Sequence, residues 1–293
     1  MFKGSIPALV TPMRDDGTID FDAWDTLLDF HVQQGTDGVV VGGTTGESPV
    51  LERSELEELV RRARVRVAGR MPVIAGSGTN GTAKSIALSK AAEAAGADAL
   101  LVVTPYYNKP TQEGLFRHFS AIADAVNIPV ILYNVPGRTG CDMLADTVAR
   151  LSHHPRIAGV KEATGDIARG EAILQQSRPG FVLLSGDDPT AANLIRIGAR
   201  GVISVTANVA ARAMHELCVA GLEGRHDEAA ALNERLMPLH QAMFVESNPI
   251  PVKWAVHRMG LIGPGIRLPL TPLSAQLCGK VEAAMLAAGL KLR

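Results

Sequence analysis

The chain has 293 residues, of which 46% are hydrophobic and 20% are charged, and its formal net charge is −1. This length exceeds that of a usual single domain, but it suits an α/β barrel of about 250 residues with extensions. The near-neutral charge excludes a strongly basic surface for nucleic acid, and no apolar run approaches the roughly 20 residues of a membrane span. A strand follows the first residues directly, so no signal peptide is expected. We expect a cytoplasmic globular protein with a small-molecule partner.

Eight short apolar runs cover the first two thirds of the chain. They are rich in β-branched residues and do not alternate with polar ones, which is typical of parallel strands buried on both faces. The predicted strands are Ile6–Val10, Val39–Gly43, Val73–Ser77, Ala99–Thr104, Val130–Asn134, Ile157–Glu162, Val182–Gly186 and Gly201–Thr206.

Helical patterns separate these strands. Apolar residues recur at helical spacing from Phe21 to His31, from Leu56 to Val67 and from Leu115 to Ile122. We predict a capping box from Ser54 to Glu57, and an N-cap at Asp188 followed by proline at the first helical position. Repeated alternation of strand and helix predicts a (β/α)8 TIM barrel, since a doubly wound sheet usually has fewer strands.

The last part of the chain contains only helical patterns. Leucines at 232, 236 and 239 form one helical stripe, and Thr271-Pro272 is predicted to start a terminal helix that ends near Gly289. We therefore divide the chain into a catalytic barrel, residues 1–225, and a C-terminal helical appendage, residues 226–293.

Lys161 lies within the apolar strand Ile157-Ala-Gly-Val-Lys-Glu162. A lysine there is either at a strand end with its ammonium in water, or buried, where it tends to lose its proton and becomes a nucleophile for carbonyl carbon. The side chains that end the other strands favour the second interpretation, because in a barrel all strand ends form one face and one pocket.

Several of these side chains suit imine chemistry at Lys161. Tyr133 on the preceding strand is either a packed aromatic or a proton shuttle, and Thr44 and Tyr107 supply further hydroxyls for a relay. The glycine-rich turn from Gly42 to Glu47, with Thr44 and Thr45, can hold a carboxylate. Arg138, just past the fifth strand, is either solvated or binds a second carboxylate.

Other patterns are less informative. Gly76–Gly81 matches G-x-G-x-x-G, but it follows the third strand, so we expect part of the pocket wall rather than a dinucleotide site. The histidines lack metal-ligand spacing, so Asp187 and Asp188 do not predict a metal site. The three widely spaced cysteines, Cys141 among them, suggest reduced structural thiols.

The motifs resemble those of the dihydrodipicolinate synthase family, in the pyruvate-dependent Schiff-base aldolase superfamily that includes N-acetylneuraminate lyase. The resemblance covers the chain from Gly4 to about Leu290. It depends on five segments: Gly43-Thr-Thr-Gly-Glu47, Val103-Thr-Pro-Tyr-Tyr-Asn108, Tyr133-Asn-Val-Pro136 with Arg138-Thr-Gly140, Val160-Lys-Glu-Ala-Thr164 and Leu184-Ser-Gly-Asp-Asp188.

The resemblance implies a class I lyase of lysine and diaminopimelate biosynthesis that needs no cofactor. Lys161 would form an imine with pyruvate, and Tyr133, Thr44 and Tyr107 would relay protons. Pyruvate would be held by Thr45 and the backbone at Ile203, with Gly186 in the substrate site. Arg138 would bind L-aspartate 4-semialdehyde.

The resemblance also implies a homotetramer of tight dimers, in which Tyr107 reaches the neighbouring subunit's site. Lysine-inhibited members use Ser48, Asn80 and Tyr106, all present here, together with histidine or glutamate at the positions of Leu56 and Lys84. Because Lys84 would repel an ammonium and Leu56 offers no hydrogen bond, we expect weak or no inhibition by lysine.

Two alternatives remain open. A sibling aldolase for sialic acid or 2-keto-3-deoxy sugar acids would use the same lysine, although Arg138 in its Pro-Gly-Arg-Thr-Gly segment argues against it, because polyhydroxy substrates call for a different loop. A non-catalytic small-molecule-binding barrel would have no need of a buried lysine, a tyrosine relay and an arginine together.

Overall fold

Eight parallel strands form a single sheet that curves into a barrel in the computed structural model, which describes residues 2–293. The strands are β1 (Gly4–Pro7), β2 (Val39–Val41), β3 (Val73–Gly76), β4 (Ala99–Val103), β5 (Val130–Asn134), β6 (Ile157–Glu162), β7 (Val182–Ser185) and β8 (Gly201–Ser204). From β2 to β8 each strand pairs with the next one along the chain, and β1 pairs with β8. β1 and β2 meet at a bridge between Ala8 and Val40. The predicted (β/α)8 barrel is confirmed.

Helices lie between the strands and after the last one. They are α1 (Phe21–Gln34), α2 (Arg53–Val67), α3 (Thr82–Ala94), α4 (Gln112–Asp124), α5 (Pro136–Thr139), α6 (Ala145–Ser152), α7 (Ile167–Gln176), α8 (Ala191–Arg196), α9 (Ala211–Leu222), α10 (His226–Ala242), α11 (Ile250–Arg258) and α12 (Ala275–Ala287). Short 3-10 turns cover Thr44–Gly46, Ser48–Val50 and Thr206–Asn208. Within residues 2–293, no helix is both long and apolar enough to span a membrane.

Two apolar cores hold the barrel together. A large one fills the layer between the strands and the helices, and a smaller one fills the barrel interior with side chains such as Ile6, Ile74, Ile131 and Ile203. Because successive strand residues point to opposite faces, both faces of each strand are buried, which explains the continuous apolar runs.

The first strand is shorter at its end than predicted. Its ladder stops at Pro7, and the next residues are held by a side chain from the turn after β8. Asn208 donates its amide to the Ala8 carbonyl at 2.8 Å and accepts the N–H of Val10 at 3.0 Å. A side-chain amide therefore satisfies backbone groups that the ladder leaves unpaired.

Three predicted helix starts are wrong. The capping box of α2 involves Glu52 and Glu55 rather than Ser54 and Glu57. Helix α12 starts after Ser274 rather than at Thr271-Pro272. Asp188 does not cap α8; its carboxylate accepts the N–H groups of Val205 and Thr206 at 3.0 and 2.9 Å. Asp188 bonds to these two N–H groups, which follow the neighbouring strand β8, instead of capping its own helix.

The C-terminal helices pack beside the last strand and the last helices of the barrel. α10 contacts α8 and α9, and α11 contacts the turn that follows β8. The segment between α10 and α11 brings Phe244 and Asn248 to the carboxyl ends of the strands. The region predicted as an appendage therefore lines the same pocket as the barrel strands.

Candidate active site

A cavity of about 140 Å³ opens at the carboxyl ends of the strands. Its lining comes from the ends of all eight strands and from the segment before α11, as expected for a pocket in a barrel. The polar and charged residues that line it are Thr44, Thr45, Ser48, Tyr133, Arg138, Lys161, Asp187 and Asn248. Gly76 and Gly78 also line it, so the glycine-rich loop after β3 is part of the wall, as predicted.

Lys161 is buried, with 5% of its surface exposed, and its ammonium faces the ring of Tyr133. The two residues are register partners on β6 and β5, and Nζ lies 4.2 Å from the ring centroid. At this distance the face of the ring attracts the ammonium. The predicted meeting of the two side chains at the barrel mouth is confirmed.

The residues next to this pair point away from the pocket and form a polar network behind it. Asn134 donates to a carboxylate oxygen of Glu162 at 3.1 Å and of Asp142 at 2.9 Å. Glu162 also accepts the N–H of Thr164 at 2.9 Å, and burial raises the pKa of its carboxyl group. These bonds satisfy the buried groups and fix β5 and β6 relative to each other.

The turn Thr44–Gly46 presents hydroxyls and backbone N–H groups to the cavity. Thr45 accepts a hydrogen bond from the Asn248 amide at 3.0 Å, so its own hydroxyl hydrogen remains available to a ligand. The first N–H groups of a 3-10 turn have no partner within it, and such groups attract anions. The arrangement suits a carboxylate.

Arg138 lies in α5, beside the cavity, and one of its amino groups donates to the Asn248 carbonyl at 3.3 Å. The remaining guanidinium donors can reach a ligand carboxylate. Asn248 thus contacts both Thr45 and Arg138 and ties the two anion-binding groups together.

Gly186 directly follows β7, and Ile203 lies on β8, the two strands that come after the strand of Lys161. A methyl group on Gly186 would stand 2.9 Å from Lys161 Cε and 2.6 Å from Ala163 Cβ, so only glycine fits there without displacement. Ile203 is buried in the barrel interior, in the same apolar cluster as Tyr133, and is not among the residues that line the cavity.

Tyr107 is not brought into the pocket of its own chain. Its side chain is 89% exposed, and its backbone has a φ of +75°, held by a bond from its N–H to the Thr139 carbonyl. The other predicted hydroxyls, those of Thr44 and Tyr133, do line the cavity. The single chain therefore does not bring Tyr107 to Lys161.

A larger cavity of about 660 Å³ adjoins the first. Its lining includes Ser48, Leu56, Asn80, Lys84 and Tyr106. The five positions connected with lysine inhibition therefore lie around one space.

Sequence reasoning missed Asn248, Glu47 and Lys253. Glu47 and Lys253 form an ion pair, with side chains 0% and 3% exposed. Lys253 stands in the apolar run Ile250-Pro-Val-Lys-Trp-Ala-Val256, which is the same signal that identified Lys161. Asn248 precedes a proline at a helix start, and only the fold reveals that it faces the pocket.

A barrel with a buried lysine facing a tyrosine, next to a turn that suits a carboxylate, has the groups that a lysine-dependent barrel enzyme of the Schiff-base type uses. Residues 1–288 match the model of the dihydrodipicolinate synthetase family, and the chain belongs to that family.

Similar proteins agree with this membership. The 4-hydroxy-tetrahydrodipicolinate synthase of Stutzerimonas stutzeri is 58% identical over 97% of this chain and 98% of its own length. That of Pseudomonas aeruginosa is 56% identical with the same coverage. The crystal structure of the chloride-inhibited dihydrodipicolinate synthase of Acinetobacter baumannii, complexed with pyruvate, has a TM-score of 0.98 at 49% identity, covering 99% of this chain and 100% of that one.

Proposed function

We propose that this chain is a 4-hydroxy-tetrahydrodipicolinate synthase that condenses pyruvate with L-aspartate 4-semialdehyde in lysine and diaminopimelate biosynthesis. The observation that carries the proposal is Lys161, buried in the barrel pocket with its Nζ 4.2 Å from the Tyr133 ring centroid. Full-length relatives with more than half of their residues identical bear the name of this enzyme.

The first half of the reaction takes place on Lys161. Lys161 first gives up its ammonium proton, and the neutral Nζ attacks C2 of pyruvate to form a carbinolamine. Protonation of the carbinolamine hydroxyl and loss of water then leave a protonated imine. Both steps need protons moved between nitrogen and oxygen, and Tyr133, whose ring lies 4.2 Å from Nζ, carries a hydroxyl that can move them. Thr44 and the Tyr107 of a neighbouring copy complete the proposed relay.

The second half joins the two substrates. Loss of a proton from C3 of pyruvate gives an enamine, whose C3 attacks the aldehyde carbon of the semialdehyde. The substrate amine then attacks the imine carbon, closes the ring and releases Lys161 as a free amine. Every bond change uses the lysine and the two substrates, so the proposed reaction needs no cofactor.

The anion-binding groups orient the two acids. Thr45 and the backbone at Ile203 hold the pyruvate carboxylate, and Gly186 leaves room for it beside Lys161. Arg138, at the open side of the cavity, binds the carboxylate of the semialdehyde through its planar donors.

A coupled assay tests the substrate assignment. Purified protein is mixed with pyruvate and either L-aspartate 4-semialdehyde or N-acetylmannosamine, and product formation is followed for each. Turnover of the semialdehyde alone supports the proposal. Turnover of the sugar alone moves the assignment to the sibling aldolases, and no turnover with any partner favours a binding barrel.

We also propose a cytoplasmic homotetramer built as a dimer of dimers. The 89% exposed ring of Tyr107 supports this assembly, because a large amphipathic side chain held in a left-handed backbone conformation suits an intersubunit contact. Sedimentation analysis measures the mass directly.

Lysine is proposed to be a weak inhibitor or none. Lys84 places a cation in the second cavity, and Leu56 fills its wall with an apolar side chain. Introducing Leu56→His and Lys84→Glu together is expected to create inhibition by lysine at a concentration that leaves the unmodified enzyme active. Strong inhibition of the unmodified enzyme would contradict this expectation.

A further inference from the structure

The ion pair between Glu47 and Lys253 is buried beside the active site, yet neither side chain lines the cavity. Burying two opposite charges costs free energy that a well-packed apolar pair would avoid. Burial lowers the pKa of Lys253, and the Glu47 carboxylate opposes that change. Because the pair is costly to bury and lies next to the active site, we expect it to have a role in substrate binding.

Glu47 directly follows Thr44–Gly46, the catalytic turn, which carries Thr44 and Thr45. Its backbone N–H donates to the Thr44 carbonyl at 3.0 Å, and its φ of +61° is left-handed. One carboxylate oxygen accepts from Lys253, and the other accepts the backbone N–H of Arg267 at 3.0 Å. The side chain therefore anchors the end of the turn to the C-terminal region.

Lys253 lies in the first turn of α11, close in sequence to Asn248. The Asn248 amide donates to Thr45 Oγ1 at 3.0 Å, and the Asn248 carbonyl accepts from Arg138 at 3.3 Å. The catalytic turn and the start of α11 thus meet at two points, Thr45 with Asn248 and Glu47 with Lys253. Both points lie within a few residues of each other on each segment.

We propose that Glu47 and Lys253 are positioning residues for substrate binding: their ion pair holds the start of α11 against the catalytic turn, so that Asn248 fixes the hydroxyl of Thr45 toward the pyruvate carboxylate. The proposal rests on the proposed function, because it takes pyruvate as the ligand of Thr45. It explains why two charges stay buried where the turn after β2 meets the region predicted as a helical appendage.

A neutral double variant separates positioning from stability. Replacing one partner would leave an unpaired buried charge and endanger folding, whereas Glu47→Gln with Lys253→Met removes both charges at nearly constant volume. Pyruvate binding is measured by borohydride trapping of the imine over a range of pyruvate concentrations, which requires no second substrate. We expect the half-saturating pyruvate concentration to rise about ten-fold, as for the loss of one charge-assisted hydrogen bond.

A matched control is available on the same helix. Arg258 and Glu282 form a half-exposed ion pair at 3.2 Å between α11 and α12, away from the cavity. The neutral pair Arg258→Met with Glu282→Gln should leave pyruvate binding unchanged. A rise of equal size in both double variants, or no rise in the Glu47 and Lys253 variant, would overturn the proposal.

Two further variants test the route through Asn248. Lys253→Arg keeps a cation for Glu47 and should bind pyruvate nearly as well as the unmodified protein; a ten-fold loss there would overturn the role of the ion pair. Asn248→Ala should weaken pyruvate binding by itself but add little to the neutral double variant, because both act through Thr45. Fully multiplicative effects would contradict the proposal. Absence of any adduct in the unmodified protein would instead defeat the proposed function.

Discussion

The ammonium of Lys161 and the ring of Tyr133 meet because β5 and β6 pair in parallel, with these two residues as register partners. Alternation along the strands sends Asn134 and Glu162 to the opposite face, where they bond each other at 3.1 Å. Tyr133 and Lys161 thus face the cavity, and the next residue on each strand holds β5 and β6 together.

Removing the hydroxyl of Tyr133 tests its proposed role as proton shuttle. Tyr133→Phe keeps the ring over Lys161 but cannot carry a proton, so kcat should fall by about 10²- to 10⁴-fold, the range for a lost general acid–base group. Steady-state kinetics with both substrates measure the change, and thermal unfolding checks that the fold is kept. Activity within three-fold of the unmodified protein, on the order of 0.6 kcal/mol in the barrier, would exclude the role.

The space beside Lys161 allows a second test. In Gly186→Ala the new methyl group would stand 2.9 Å from Lys161 Cε, so the lysine must move. Since small misplacements of reacting groups are costly, imine formation should slow roughly 10- to 100-fold. Gly279→Ala in α12, where a methyl group meets open space, is the control and should not change the rate. Equal rates for both variants would contradict the proposed geometry.

Helix α1 contains a buried histidine, His31, that makes the stability of the fold depend on pH. His31 lies near its C-terminus, fully buried, with Nδ1 3.1 Å from the Thr36 hydroxyl. Burial lowers the pKa of His31 to about 3. Because the unfolded chain binds a proton below pH 6.5 and the folded chain does not, His31 destabilises the fold increasingly as pH falls from 6.5 toward 3.

This linkage predicts a pH-dependent loss of stability. Between pH 7 and pH 5 the neutral state of His31 should cost the folded protein ~2 kcal/mol, and a His31→Gln variant should lose correspondingly less. Urea unfolding midpoints at the two pH values measure the difference, with the exposed His153→Gln as control. Equal pH dependence of the His31 variant and the unmodified protein would show that His31 is not responsible.

At the scale of elements, strands could be predicted from sequence better than helix ends. Buried apolar runs reveal parallel strands directly, since both of their faces are covered. Asp188 has the sequence of an N-cap, but its carboxylate bonds to backbone N–H groups 17 and 18 residues away, which no local pattern indicates. Lys253 could have been singled out by the rule that singled out Lys161; its partner Glu47, 206 residues away, could not.

At the scale of the whole molecule, Tyr107 lies apart from the other predicted site residues. Thr44, Thr45, Tyr133, Lys161 and Arg138 line one cavity, whereas the Tyr107 ring projects to solvent. A resemblance identified Tyr107 as a relay residue, and a single chain does not bring it to Lys161. An active site completed by a second copy reconciles the two.

Mixing two inactive variants tests this shared site. Lys161→Ala removes the nucleophile and Tyr107→Ala weakens the relay, but a mixed dimer contains one site with the lysine of one copy and the tyrosine of the other. After the two proteins are dissociated and reassembled together, activity should recover to roughly one quarter of the unmodified level, by random pairing. Mixtures no more active than the separate variants would place Tyr107 outside the relay.

The central claim, that Lys161 is the nucleophile for pyruvate, is tested most directly by borohydride reduction. The protein is incubated with pyruvate, reduced, digested and analysed by mass spectrometry, with Lys161→Arg as control. We predict one carboxyethyl group per chain, attached to the Lys161 peptide and absent from the control. An unmodified Lys161 peptide, or an adduct on another lysine that persists in the control, would contradict the account.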